Sequence, residues 1–65
     1  MSNLKHFREA QKMSQSQLAE SSGVNVRMIQ HYEQGFKDIN KASAITVYKL
    51  ARALNTKIEN LLEIR

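Results

Sequence analysis

Leu18-Ala19-Glu20-Ser21-Ser22-Gly23-Val24-Asn25-Val26-Arg27-Met28-Ile29-Gln30-His31-Tyr32-Glu33-Gln34-Gly35 reads as a helix, a tight turn and a second helix. Gly23 supplies the left-handed backbone that lets two helices meet steeply after a short turn. Asn25 is suited to cap the start of the second helix, and Gly35 to end it. Within that helix Arg27, Gln30, His31 and Gln34 recur at i, i+3, i+4 and i+7 and share one face, while Met28, Ile29 and Tyr32 take the other. A guanidinium, two amides and an imidazole on one face suit hydrogen bonding to base edges. The same polar face is also what any solvated surface helix presents, and the periodicity leaves both readings open.

Outward from this stretch, the helical signals continue in both directions. Ser2 or Asn3 caps a first helix over about 3–12, with Leu4, Phe7 and Ala10 on its buried side. His6 lies one turn from Glu9, and an exposed histidine is the favoured reading over a metal or acid–base pair. Ser14-Gln15-Ser16-Gln17 is a capping box, and Met13 to Leu18 has hydrophobic-staple spacing, so a helix over 15–22 follows with Leu18 and Ala19 inward. Its free N-terminus at Ser14 and Gln15 is a favourable place for a phosphate. Val26 either meets a thymine methyl group or packs on the preceding helix. Phe36 and Ile39, in the segment 36–42, are expected to be partly buried, because an irregular segment gains order by docking apolar side chains.

A fourth helix over about 42–54 turns Ala44, Val47, Leu50, Ala51 and Leu54 inward and Lys49 and Arg52 outward. Asn55 stands where a left-handed residue ends it. Thr56-Lys57-Ile58-Glu59 has the form of a second capping box and opens a last helix over 57–63, with Ile58, Leu61 and Leu62 at core spacing. Ile64 is left over, either for a dimer seam or as an ordinary exposed residue.

Composition narrows the possible functions. A chain of 65 residues has room for one small core, which is marginal unless it is well packed or associates. There is no cysteine, hence no disulfide and no thiolate metal site; proline is absent, and 42% of residues are apolar, which favours helix over disorder. The N-terminus is too polar for a signal peptide and no apolar run approaches a membrane span, so the chain is read as cytoplasmic. No Gly-rich phosphate loop or serine–base arrangement is evident, and an enzyme is not expected. No metal, cofactor or small-molecule ligand is expected. The net charge of +4 is compatible with a polyanionic partner as well as with ordinary solubility. The positive charge lies in the flanks, at Lys5, Arg8 and Lys12 and again at Lys37, Lys41, Lys49, Arg52 and Lys57, whereas 14–35 sets Arg27 against Glu20 and Glu33. Any DNA contact would therefore take its basic component from the flanks.

Met13-Ser14-Gln15-Ser16-Gln17-Leu18-Ala19, Gly23-Val24-Asn25 and Ile29-Gln30-His31-Tyr32-Glu33-Gln34-Gly35 together resemble the helix-turn-helix signature of the phage repressor and Cro-like, or XRE, family. The likeness extends to Phe7-Arg8-Glu9-Ala10 upstream, and to Lys49-Leu50-Ala51-Arg52-Ala53-Leu54-Asn55 with Leu61-Leu62 downstream. It implies an all-α, five-helix repressor-like domain over 1–65 that binds double-stranded DNA, in a cytoplasmic regulator of a bacterial nucleoid, a phage or a mobile element. By the resemblance, the third helix enters the major groove, with Asn25, Val26, Arg27, Gln30 and His31 reading bases and Ser14, Gln15, Gln34, Lys37 and Lys41 on the backbone. Arg8 pairs with Glu33 as a structural ion pair. A weak or DNA-induced homodimer on a two-fold operator is implied, since each such domain covers about half a site. The segment 36–42 departs from the family pattern: it is about three residues longer and lacks the usual proline before the fourth helix, which leaves its phosphate contacts in doubt. The rival from another class is an antitoxin or adaptor module gripping a protein with the same fold.

Overall fold

A computed structural model describes residues 2–63. It comprises α1 (Asn3–Ala10), α2 (Gln15–Ser22), α3 (Val26–Gln34), a 3-10 turn (Ile39–Lys41), α4 (Ala44–Ala53) and α5 (Ile58–Leu61), with no strand among the described residues. Starts are set by side-chain caps. Ser2, Ser14, Asn25, Asp38 and Ser43 each accept a hydrogen bond from a backbone N–H two or three residues ahead. At Ser14 the bond is reciprocal: Oγ accepts from Gln17 N at 3.0 Å, and Gln17 Oε1 accepts from Ser14 N at 2.8 Å.

Ends are set by left-handed residues. Lys12 (φ 59), Gly35 (φ 84) and Asn55 (φ 55) each reverse the chain, and the next residue's N–H returns to a carbonyl five positions back: Met13 to Arg8, Phe36 to His31 and Thr56 to Ala51. All three are Schellman closures. Gly23 (φ 77) ends α2 and opens the turn into α3.

These closures account for where the helices depart from the sequence expectation. The first helix stops at Ala10 rather than 12 because Lys12 is already left-handed. The third starts at Val26 rather than 25, since Asn25 is its cap. The fourth runs Ala44–Ala53 rather than 42–54, because Ala42 is extended and Ser43 caps. The last is a single turn, Ile58–Leu61, instead of 57–63. The second capping box does not form: Thr56 is spent closing α4, its Oγ1 accepts from Asn60 Nδ2 at 3.0 Å, and Lys57 stands at the cap with no side-chain bond.

The core consists of Leu4, Leu18, Val24, Ile29, Tyr32, Ile39, Val47, Leu50, Ala51, Leu54 and Leu61. Leu18 on α2 lies at its centre, because α2 packs against both α3 and α4, while α1 closes on α3 and α5. Three residues expected inside are exposed. Ala10 is rotated away from the stripe that Leu4, Phe7 and Arg8 make on α1, Ala44 sits at the open first turn of α4, and Ile58 begins a one-turn helix that buries only Leu61. Ile39 is buried as expected, turned inward by the Asp38 cap, but Phe36 is 74% exposed. Ile64, the residue left over for a dimer seam, lies outside the described residues.

Beyond α5, Leu62 is extended and the tail is tied down by two asparagines. Asn3 Nδ2 donates to Leu62 O at 3.0 Å, and the Asn40 side chain makes a matched pair with the Glu63 backbone, accepting from N at 2.8 Å and donating to O at 3.1 Å.

Candidate functional site

The site is built on α3. Ile29 (fully buried) and Tyr32 anchor one side of it in the core, with Met28 partly buried beside them. That anchoring turns Arg27, Gln30, His31 and Gln34 outward together, with Arg27 and Gln34 exposed and Gln30 and His31 half-buried. At the N-terminal end, Asn25 is exposed, but its Oδ1 is committed to Arg27 N at 2.7 Å. Val26 is half-buried in an open depression between α2 and α3, lined also by Ser16, Ala19, Glu20 and Val24. It therefore packs partly on α2 and keeps part of its surface open to solvent.

A buried charged network sets the angle of α3. Glu33 Oε2 accepts from Arg8 Nε at 2.7 Å and Oε1 from Arg8 Nη2 at 3.0 Å, a two-pronged pair whose side chains are only 3% and 11% exposed. Arg8 Nη1 donates to the Met13 carbonyl at 2.6 Å, and Gln15 Nε2 to Glu33 Oε1 at 3.0 Å. α1, the first residue of α2 and the last turn of α3 thus meet at one carboxylate, and the turn after α1 joins them through the Arg8 guanidinium. The Glu33 carboxylate raises the Arg8 guanidinium above its ordinary pKa against the opposing effect of burial. The pair locks α1 to α3.

Of the residues expected at a phosphate backbone, Gln15 is thus engaged within the fold through one N–H of its amide, which carries two. Ser14 is exposed and occupied in its capping box. Lys37 and Lys41 are exposed and come together on the rim of one depression beside Tyr32, Asp38 and Ala42. His6 rests edge-on against Phe7 in the middle of α1. Among the described residues no three His, Asp or Glu side chains gather as a metal site, and no helix is long and apolar enough to cross a membrane.

Sequence reasoning missed two features beside these. Phe36 lies against His31, ring centroids 6.0 Å apart and interplanar angle 67°, while most of its surface faces solvent. The signal was Gly35 itself, because the residue after a Schellman glycine commonly contacts the residue five positions before it. On α4, Ile45 and Tyr48 are exposed one turn apart, and Tyr48 Oη accepts from Arg52 Nη1 at 2.9 Å.

The two helices joined at Gly23, the second carrying a polar outer face and locked from below by Arg8 and Glu33, lie within a match to a known family. The family model described as helix-turn-helix covers residues 4–61. A comparison with curated proteins gave no match. With nearly its whole length covered by that match, the chain belongs to the XRE-type helix-turn-helix family of DNA-binding transcription regulators.

Proposed function

We propose that the protein is a sequence-specific double-stranded DNA binder that inserts α3 in the major groove and acts as a dimer on a two-fold symmetric operator. The observation that carries this reading is the outward set Arg27, Gln30, His31 and Gln34 on a helix whose orientation is fixed by a capped start, a Schellman end and the buried Arg8–Glu33 pair. Base readout needs donors and acceptors held in register, and a helix free to rock would blur it. Arg27, Gln30 and His31 read base edges, Asn25 and Val26 contribute at the end nearest the groove floor, and Ser14, Gln15, Gln34, Lys37 and Lys41 hold phosphates. Because the reading face carries one full charge, the electrostatic attraction comes from Lys37 and Lys41 and from the other flanking cations.

Half-sites about one helical turn apart would place two copies on one side of the duplex. The test is titration of a bound duplex across salt concentrations with three proteins. The parent should show a steep loss of affinity with salt; Arg27→Ala should bind with reduced discrimination between sequences, and Lys37→Ala should weaken all sequences alike. Binding to DNA that is weak and salt-insensitive, beside tight salt-insensitive binding to a protein, would favour the adaptor reading instead.

A further inference from the structure

Phe36 is the most exposed large apolar residue among the described residues, at 74%, and it stands directly after the helix that carries the polar outer face. Its backbone is not free: the Phe36 N–H is held to the His31 carbonyl at 2.9 Å and the Lys37 N–H to the same carbonyl at 3.2 Å, behind a left-handed Gly35. This closure folds the chain back so that the Phe36 ring meets the His31 ring edge-on. The contact does two things. It limits the directions open to the half-buried imidazole, and it carries an apolar surface to the side of α3 from which His31 projects. Gln34 and Lys37, near it in sequence, are both exposed.

Resting on the reading above, we propose that Phe36 is a specificity-positioning residue: it holds His31 in its base-reading orientation and is itself buried against the apolar C–H surface of the duplex when the protein binds. The apolar groups a duplex offers at that place are thymine methyls and deoxyribose edges, and both would shed water against an exposed phenyl ring. A ring in this place adds affinity without charge. Its contribution is therefore independent of salt, unlike that of the adjacent Lys37.

The experiment uses the full chain and the duplex that the parent selects from a random pool, with His31→Ala, Phe36→Ala, Phe36→Tyr and the His31→Ala/Phe36→Ala double variant. Phe36→Ala should bind about tenfold or more weakly, the loss expected when an aromatic surface is no longer buried. It should lose preference at the same base pair where His31→Ala loses it, and its salt slope should equal the parent's. The two substitutions should be non-additive in base preference, since Phe36→Ala has no preference left to remove once His31 is gone, while the affinity lost with the ring's own contact persists in both backgrounds. Phe36→Tyr should restore the preference. Its melting temperature should stay near the parent's, as for any exposed site, which separates this role from a structural one. Unchanged preference in Phe36→Ala, additive losses of preference with His31→Ala, or a His31→Ala variant with no altered base pair would each overturn the proposal. Replacing thymine by uracil at that base pair distinguishes the two apolar surfaces, since only a methyl contact is lost. A parent that selects no consensus would instead remove the underlying DNA-binding reading, before any variant is made.

Discussion

Replacing Glu33 with Ala strands three donors at once: Nε and Nη2 of Arg8, and Nε2 of Gln15. The Arg8 side chain is 11% exposed and keeps only its bond to the Met13 carbonyl, so the variant must hold a nearly buried cation without its counter-charge. Removing one member of a buried pair costs about 3–5 kcal/mol. At roughly 0.05–0.15 kcal/mol per residue, a chain of this length has about 3–10 kcal/mol in all, so Glu33→Ala should lose a large share of its stability and unfold at much lower urea than the parent. The companion variant Arg8→Met/Glu33→Leu removes both charges and fills the space with apolar atoms; it should return to within about 1.5 kcal/mol of the parent. Urea denaturation followed by helical circular dichroism measures both. A Glu33→Ala variant within about 1 kcal/mol of the parent, or a double variant no more stable than the single one, would show that burial of an unpaired charge is not what Glu33 prevents.

Other sites give smaller, opposite-signed effects. Lys12 occupies a left-handed closure at φ 59 that costs an L-residue about 1 kcal/mol, so Lys12→Gly should raise the melting temperature by a few degrees, checked by calorimetry. Gly35→Ala should lower stability by about 1 kcal/mol in urea titrations, through backbone strain alone, since an added methyl there meets no atom within 4 Å. Asn40→Ala removes both bonds to the Glu63 backbone, and hydrogen exchange should show faster opening of the tail amide while α2 and α3 stay protected. Lys37→Ala should reduce the slope of log affinity against log salt by about one, measured by fluorescence anisotropy.

The parts of the fold legible in the sequence are those encoded by short-range chemistry. Ser14 with Gln17, Asn25 before Val26, and Gly23 and Gly35 after their helices each specify backbone geometry within a few residues, and α2 and α3 follow from them. What was not legible depended on competition or on distance. Thr56 could serve either as a cap for α5 or as the closing residue of α4, and only the register of α4 decides that it closes α4. Lys12 carries no compositional sign that it will turn left-handed. The Asn40 pair with Glu63 joins residues far apart in sequence, which no local pattern announces. For the candidate site, periodicity alone grouped Arg27, Gln30, His31 and Gln34. The expectation that Phe36 would dock into the core ignored the Schellman closure, which commits that ring to His31 and leaves the inward position to Ile39.

The central claim is sequence-specific recognition of duplex DNA, and the most direct measurement of it is selection of bound duplexes from a random pool at near-physiological salt. The expected result is a two-fold symmetric consensus with half-sites about one helical turn apart, bound at least about a thousandfold more tightly than random DNA. Recovery of no consensus, with every duplex bound as weakly as the starting pool, would contradict it.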